Sequence, residues 1–403
     1  MSTSKPATRI VRSGIESDTQ HHAVIPPIYL SSNFAFEEFG KPGKYDYTRS
    51  GNPTRDLLAD ALADLENGAG AIVTATGMAA VTLVLQLFNP DDLIFAPHDC
   101  YGGTYRLLSQ LKLRNIVNAE FHNQLQDDFS AKILAQKPKL VWIETPSNPL
   151  LRITDIAKIA EAAHAIGALV VVDNTFLSPA LQQPLNLGAD IVIHSTTKYI
   201  NGHSDVVGGA VVAKTTELYD RLKYWANCLG LTASPFDSYL TLRGLRTLKA
   251  RLNLHLANTK AIAALLVQHQ AVQKVHYPGL KDHPGHAIAL KQQSDFGAMI
   301  SFELADVEEV KLFLGKLDYF SLAESLGGVE SLVAHPASMT HAAMDAEARR
   351  VAGITDGLLR LSVGIEDGED WCHAIQTALD AVLALRREAA GGGRIISTVR
   401  ETR

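Results

Sequence analysis

Five short, wholly apolar runs set the limits on what this chain can fold into: Ala71–Val73, Leu93–Ala96, Leu140–Ile143, Leu169–Val172 and Ile191–Ile193. A strand that is apolar at every position has no face for water, so both faces of its sheet must be covered. The segments between the runs carry helical spacing. Asp155 to Ile166, for example, is periodic and stops at Gly167, which suits a helix C-terminus. Strands and helices in alternation predict an α/β fold, with a mostly parallel sheet and helices on both faces. In such a sheet, ligands bind beyond the carboxyl ends of the strands.

Two of the runs end in residues that carry chemistry. Ile191–Ile193 leads into Ser195-Thr196-Thr197-Lys198, and Val170–Val172 ends in Asp173. Lysine is rarely buried without a partner. A lysine just past a buried strand, beside hydroxyls able to hold a phosphate, suits a carbonyl bound as a Schiff base. Ser195 and Thr197 are the phosphate donors in that reading, and the carbonyl is the aldehyde of pyridoxal 5′-phosphate (PLP). An isolated S-x-T-K is more often a surface lysine past a strand, and a lone aspartate is more often a turn or helix cap. The two together fit one requirement: a carboxylate against the pyridine nitrogen keeps that ring protonated and electron-withdrawing.

Other residues lie at similar strand ends. Thr74-Ala75-Thr76-Gly77-Met78 opens a helical run over Val81–Phe88, and the first N–H groups of such a helix can bind a phosphate. Any strand–helix turn favours glycine, so this signal is weak alone. Tyr101 fits stacking on an aromatic cofactor and ordinary packing about equally well, and Arg106 fits a carboxylate. Arg360 lies inside the apolar strand Leu358–Val363, where a buried guanidinium requires an anion. That anion is usually a structural acid, but an amino-acid-handling enzyme raises the case for a substrate carboxylate. His194, His203 and His335 flank these loops and are assigned structural hydrogen bonds.

A net charge of −6 offers no electrostatic reason to expect nucleic acid or an anionic membrane as partner. No apolar run reaches membrane-span length, and the basic residues of Met1–Arg12 flank no apolar core of a secretory signal. Cys100, Cys228 and Cys372 are too far apart for a metal motif and suit reduced thiols, so the expectation is a cytoplasmic protein with no metal. The expected organisation is an N-terminal arm over 1–60, a cofactor-binding domain over 61–250, a smaller α+β domain over 251–390 and a mobile tail over 391–403. The arm is rich in turn formers. After it, Asn52-Pro53 reads as an N-cap and first-turn proline, with Leu58, Leu62 and Leu65 on one helical face.

A series of ordered blocks resembles the Cys/Met-metabolism family of PLP enzymes, of fold type I. They are Tyr47-Thr48-Arg49-Ser50-Gly51-Asn52-Pro53, Gly77-Met78-Ala79, Asp99-Cys100-Tyr101-Gly102-Gly103, Glu144-Thr145-Pro146-Ser147-Asn148-Pro149, Asp173-Asn174-Thr175-Phe176, Ser195-Thr196-Thr197-Lys198-Tyr199, Ala323-Glu324-Ser325-Leu326-Gly327-Gly328 and Arg360-Leu361-Ser362-Val363-Gly364. The resemblance implies that Lys198 carries the cofactor and shuttles protons, Asp173 pairs with the pyridine nitrogen and Tyr101 stacks on the ring. It places the phosphate on Gly77, Met78, Ser195 and Thr197, with Tyr47 and Arg49 arriving from a neighbouring subunit of a homotetramer. It assigns the substrate carboxylate to Arg360, Ser325 and Asn148, and sets Glu324 near the cysteine.

Ala96–Gly103 and Phe236–Tyr239 are most similar to the family's bacterial γ-synthases. The activity this implies is replacement of the acyl group of O-succinyl-L-homoserine by L-cysteine; the alternative is γ-elimination on cystathionine. Gly103 stands where methionine γ-lyases usually carry cysteine, and Glu324 where β-lyases are typically apolar. Ser50 stands where some γ-synthases have a further arginine, which leaves the acyl preference open.

Overall fold

The computed structural model describes residues 4–342, 344 and 346–391. Its larger sheet comprises β1 (Gly70–Thr74), β2 (Leu93–Pro97), β3 (Asn118–His122), β4 (Leu140–Glu144), β5 (Leu169–Asp173), β6 (Ile191–His194) and β7 (Gly209–Ala213). Their spatial order is β1-β7-β6-β5-β4-β2-β3. The run from β6 to β3 is parallel throughout, while β7 is antiparallel to both of its neighbours. All five apolar runs are strands of this sheet, and β4 is buried from end to end. Separate apolar clusters cover its two faces: one includes Leu58, Val141, Val170 and Val192, the other Val84, Trp142, Val171 and Ile193. Alternate residues of one strand feed opposite clusters, as the pleat requires.

The smaller sheet comprises β8 (Lys274–His276), β9 (Met299–Glu303), β10 (Ser321–Leu322), β11 (Leu332–Ala334) and β12 (Leu358–Ser362), in the order β10-β11-β12-β9-β8. The long C-terminal helix Gly368–Gly391 packs with Phe302, Phe313 and Trp371 in the cluster on one side of this sheet. The helices Pro235–Leu245 and Leu248–Gln268 lead into it.

Some expectations need correction. Tyr101, placed at a strand end by the sequence, leads directly into the helix Gly102–Leu113. The helix expected over Val81–Phe88 begins at Gly77 and ends at Leu85, because Thr76 supplies an N-cap bond to Ala79 N–H. The N-terminal arm includes a short helix, Pro6–Arg12. The Asn52 cap stands, since its side chain accepts from the N–H groups of Thr54 and Arg55. The expected mobile tail lies outside the described residues except for Gly391, which closes the last helix.

Candidate active site

Parallel strands deliver their last residues to one edge, and there the structure gathers most of the candidate residues. Lys198 follows β6 in a turn held by Lys198 N–H to Ser195 O and Asn201 N–H to Thr196 O. The Lys198 amine donates to Ser325 Oγ at 2.7 Å. Burial, then the positive charge of Arg360, lowers its pKa to about 8, with Glu324 pulling the other way.

Ser325 has a φ of +85°, a region L-residues seldom occupy, and the fold holds it there from two sides. Its hydroxyl meets Lys198, and its carbonyl accepts from Arg360 Nη2 at 2.9 Å. Gly327, two residues on, sits so close to the lysine turn that a Cβ would lie 2.7 Å from Tyr199 N.

Arg360 is 2% exposed at the middle of β12. Its Nη1 donates to Asn148 Oδ1 at 2.9 Å, and its Nε is buried without a partner. No carboxylate lies within ion-pair distance of it among the described residues. Burial lowers its pKa to about 10, so it stays cationic at neutral pH. None of the described residues supplies the anion this guanidinium requires.

Asp173 ends β5, where its Oδ1 accepts from Thr175 N–H at 3.0 Å. Burial raises its pKa against that bond and against the charge of His194. Like Arg360, it has no ion-pair partner among the described residues. On the other side of the strand end, Tyr101 is 45% exposed and sits above Gly103, where a Cβ would lie 2.5 Å from the ring and 2.9 Å from Met78 Sδ. Gly77 is packed just as tightly, since a Cβ there would meet Ser195 Cβ at 2.9 Å. That contact sets the first turn of the helix Gly77–Leu85 beside the Ser195 hydroxyl, and the first-turn N–H groups have no acceptor within their own helix. The Thr197 hydroxyl exchanges hydrogen bonds with Gly208, donating to its carbonyl and accepting from its N–H.

These groups fit pyridoxal phosphate. There is an anion cradle at a helix N-terminus, a carboxylate in need of a cation, a lysine of lowered pKa and a tyrosine ring facing open space. A family model for Cys/Met metabolism PLP-dependent enzymes matches residues 7–380. The chain belongs to that family. Pyridoxal phosphate is accordingly its cofactor. The cystathionine gamma-synthase of Escherichia coli (strain K12) is 55% identical over 370 residues, covering 91% of this chain and 96% of that one. A cystathionine beta-lyase of Lactococcus lactis subsp. cremoris (strain MG1363) is 47% identical over 373 residues, covering 93% and 98%. The crystal structure of cystathionine gamma synthase from Xanthomonas oryzae pv. oryzae in complex with aminoacrylate and cysteine superposes with a TM-score of 0.94, at 60% identity, covering 95% of this chain and all of that one.

Not every candidate joins the cluster. Tyr47 and Arg49 are exposed on the arm, stacked on each other at 5.3 Å, and Arg49 Nε bonds Asn227 Oδ1 on an outer helix. Arg106 faces solvent on the helix after Tyr101, and Glu324 is exposed beside Ser325. The three histidines have structural partners: His194 bonds buried Glu66, His203 the carbonyl of Asn201, and His335 Ser338 and the carbonyl of Asp356. One member of the cluster went unassigned from sequence: Glu144, which ends an apolar strand just as Asp173 does.

Proposed function

We propose that the chain is a cystathionine γ-synthase: it replaces the acyl group of O-succinyl-L-homoserine by L-cysteine, giving L-cystathionine and succinate, in methionine biosynthesis. The observation that carries an amino-acid substrate is Arg360, a buried cation with no acid of its own. It grips the α-carboxylate, and Asn148 and Ser325 hold the guanidinium in place. When bound, pyridoxal phosphate supplies an electron sink for charge that develops at the substrate's Cα. Asp173 keeps the pyridine nitrogen protonated, Tyr101 covers the ring face, and Gly77, Met78, Ser195 and Thr197 receive the phosphate.

Lys198 serves as the attachment point and then, once displaced by the substrate amine, as the proton carrier. Its lowered pKa leaves much of the amine neutral near pH 8, as a base requires. It takes the proton from Cα, and a second proton leaves Cβ. The bond from Cγ to the ester oxygen then breaks to release succinate, the cysteine sulfur, having lost its proton to solvent, bonds to Cγ as the thiolate, and the two protons return to Cβ and Cα. Ser325 holds the Lys198 amine within reach of these carbons. Glu324, close enough to influence both Lys198 and Arg360, receives the cysteine at the open side of the site.

Identity to the Escherichia coli and Xanthomonas oryzae synthases, 55% and 60%, exceeds the 47% to the Lactococcus lactis β-lyase and supports the replacement reaction, and Glu324 supports γ-chemistry. The competing reading is a γ-lyase, which would use the same grip and the same base on cystathionine. Product analysis with O-succinylhomoserine decides between them. A synthase forms cystathionine when cysteine is present, whereas a lyase cleaves cystathionine in preference and is indifferent to added cysteine.

Tyr47 and Arg49 are assigned to the phosphate of a neighbouring subunit in a homotetramer of active dimers, because their contacts within the chain lie on its outer surface. The reading places the enzyme in the cytoplasm, with an arm over 1–60 and domains over 61–250 and 251–390. No helix among the described residues is long and apolar enough to cross a membrane.

A further inference from the structure

One buried carboxylate at the strand edge has no task in the reaction above. Glu144 ends β4, directly opposite Asp173 in the register of β4 and β5, and is 6% exposed. Its two oxygens are divided between two backbone groups. Oε2 accepts from Tyr101 N–H at 2.7 Å, and Oε1 accepts from Asn148 N–H at 3.2 Å. Asn148 in turn receives Arg360 Nη1. An unbroken hydrogen-bonded path therefore runs from Arg360 through Asn148 and Glu144 to Tyr101.

The arrangement is costly. Burial and the charge of Asp173 push the Glu144 pKa well up, against the two N–H bonds. A glutamine would avoid burying a charge, but its amide has one acceptor oxygen and would turn its NH2 toward the other N–H donor. Only a carboxylate can hold Tyr101 and Asn148 at once with a single side chain of this length.

We propose that Glu144 is a positioning residue that couples the carboxylate grip to the ring-covering tyrosine. Occupation of Arg360 by a substrate carboxylate draws on Asn148, and Glu144 transmits that constraint to the backbone of Tyr101, setting the tyrosine for an amino acid rather than a simple amine. The inference rests on the reading of Arg360 as the carboxylate grip.

The test uses the holoenzyme and two small ligands that differ by one carboxylate, glycine and methylamine. Binding is followed by titration, and the visible circular dichroism of the bound cofactor reports on the ring and its cover. The wild type should prefer glycine, and glycine alone should change the dichroism. Glu144→Gln should keep its cofactor content and thermal midpoint, lose roughly ten-fold of the glycine preference, and lose the dichroism response, since one hydrogen bond to a charged group is removed. Glu144→Asp retains both acceptors and should recover part of each.

Unchanged preference and response in Glu144→Gln would overturn the proposal. So would equal weakening of both ligands, or loss of cofactor, because either would mark a purely structural residue. If Glu144→Gln fails to fold, the same readouts on Glu144→Asp decide the matter: a partial loss of glycine preference supports the coupling and a wild-type response overturns it. A wild type that binds methylamine as well as glycine would instead remove the Arg360 grip itself.

Discussion

Arg360 and Asn148, 212 positions apart in sequence, meet in a 2.9 Å hydrogen bond between Nη1 and Oδ1. One lies in the centre of the smaller sheet and the other just past β4 of the larger one, so the proposed grip forms only where the two sheets meet. Arg360→Lys keeps the charge but loses the planar fork that reaches Asn148 and the Ser325 carbonyl together. The variant should bind amino-acid ligands about ten- to a hundred-fold more weakly, matching about 1.5–3 kcal/mol for one charge-assisted bond, with cofactor content unchanged. Titration with a non-reacting amino acid measures this. Unchanged affinity would mean that the carboxylate binds elsewhere.

Lys198 has a pKa of about 8, low because burial disfavours the ammonium and Arg360 repels it. The neutral amine attacks an aldehyde, so covalent capture of pyridoxal phosphate by the cofactor-free chain should speed up through about pH 8 and then level off. Stability follows the same sign. An unfolded lysine keeps its proton up to its ordinary value of 10.5, while the folded one has released it from about 8, so the unfolded state binds more protons between those values. The cost of the lowered pKa is therefore full below about pH 8 and fades as pH rises toward 10.5. Lys198→Ala should abolish capture and turnover with an unchanged far-ultraviolet spectrum. A borohydride-stable adduct in that variant would place the attachment on another lysine.

The ring contact between Tyr47 and Arg49 and the Arg49–Asn227 bond lie away from the Lys198 cluster of their own chain. Mixing inactive Lys198→Ala chains with inactive Arg49→Ala chains should then restore part of the activity, because some hybrid sites combine an intact lysine with an intact arginine. The measurement is activity after verified subunit exchange. No recovery would confine the site to one chain.

Arg106 faces solvent five residues beyond Tyr101, on the helix Gly102–Leu113. Arg106→Ala should lower kcat/KM for O-succinylhomoserine about ten-fold or more relative to the acetyl ester, since only the succinyl group has a carboxylate to lose a partner. Equal losses on both esters would make Arg106 structural.

The residues that announced themselves in sequence did so by ending uniformly apolar runs, and Lys198, Asp173 and the β1–Gly77 turn are where that pattern places them. β3 escaped because Asn118-Ala119-Glu120-Phe121-His122 is an edge strand pairing on one side only, with no continuous apolar run. The antiparallel insertion of β7 was equally invisible, since strand direction depends on the path of the connection rather than on side chains. Glu144 bore the same signature as Asp173. What sequence could not supply was its pair of N–H partners, contributed by two loops that become neighbours only in the folded sheet.

Ser325 touches the Lys198 amine with its side chain and the Arg360 guanidinium with its main chain, in a backbone conformation that leaves little slack. The base and the carboxylate grip of the proposed reaction are thereby referred to a single residue, and neither can be shifted without the other. Attempts to alter the reaction by moving the base would misplace the carboxylate, and the reverse. Room for change lies with exposed residues such as Glu324 and Arg106, which can be exchanged while this shared reference stays in place.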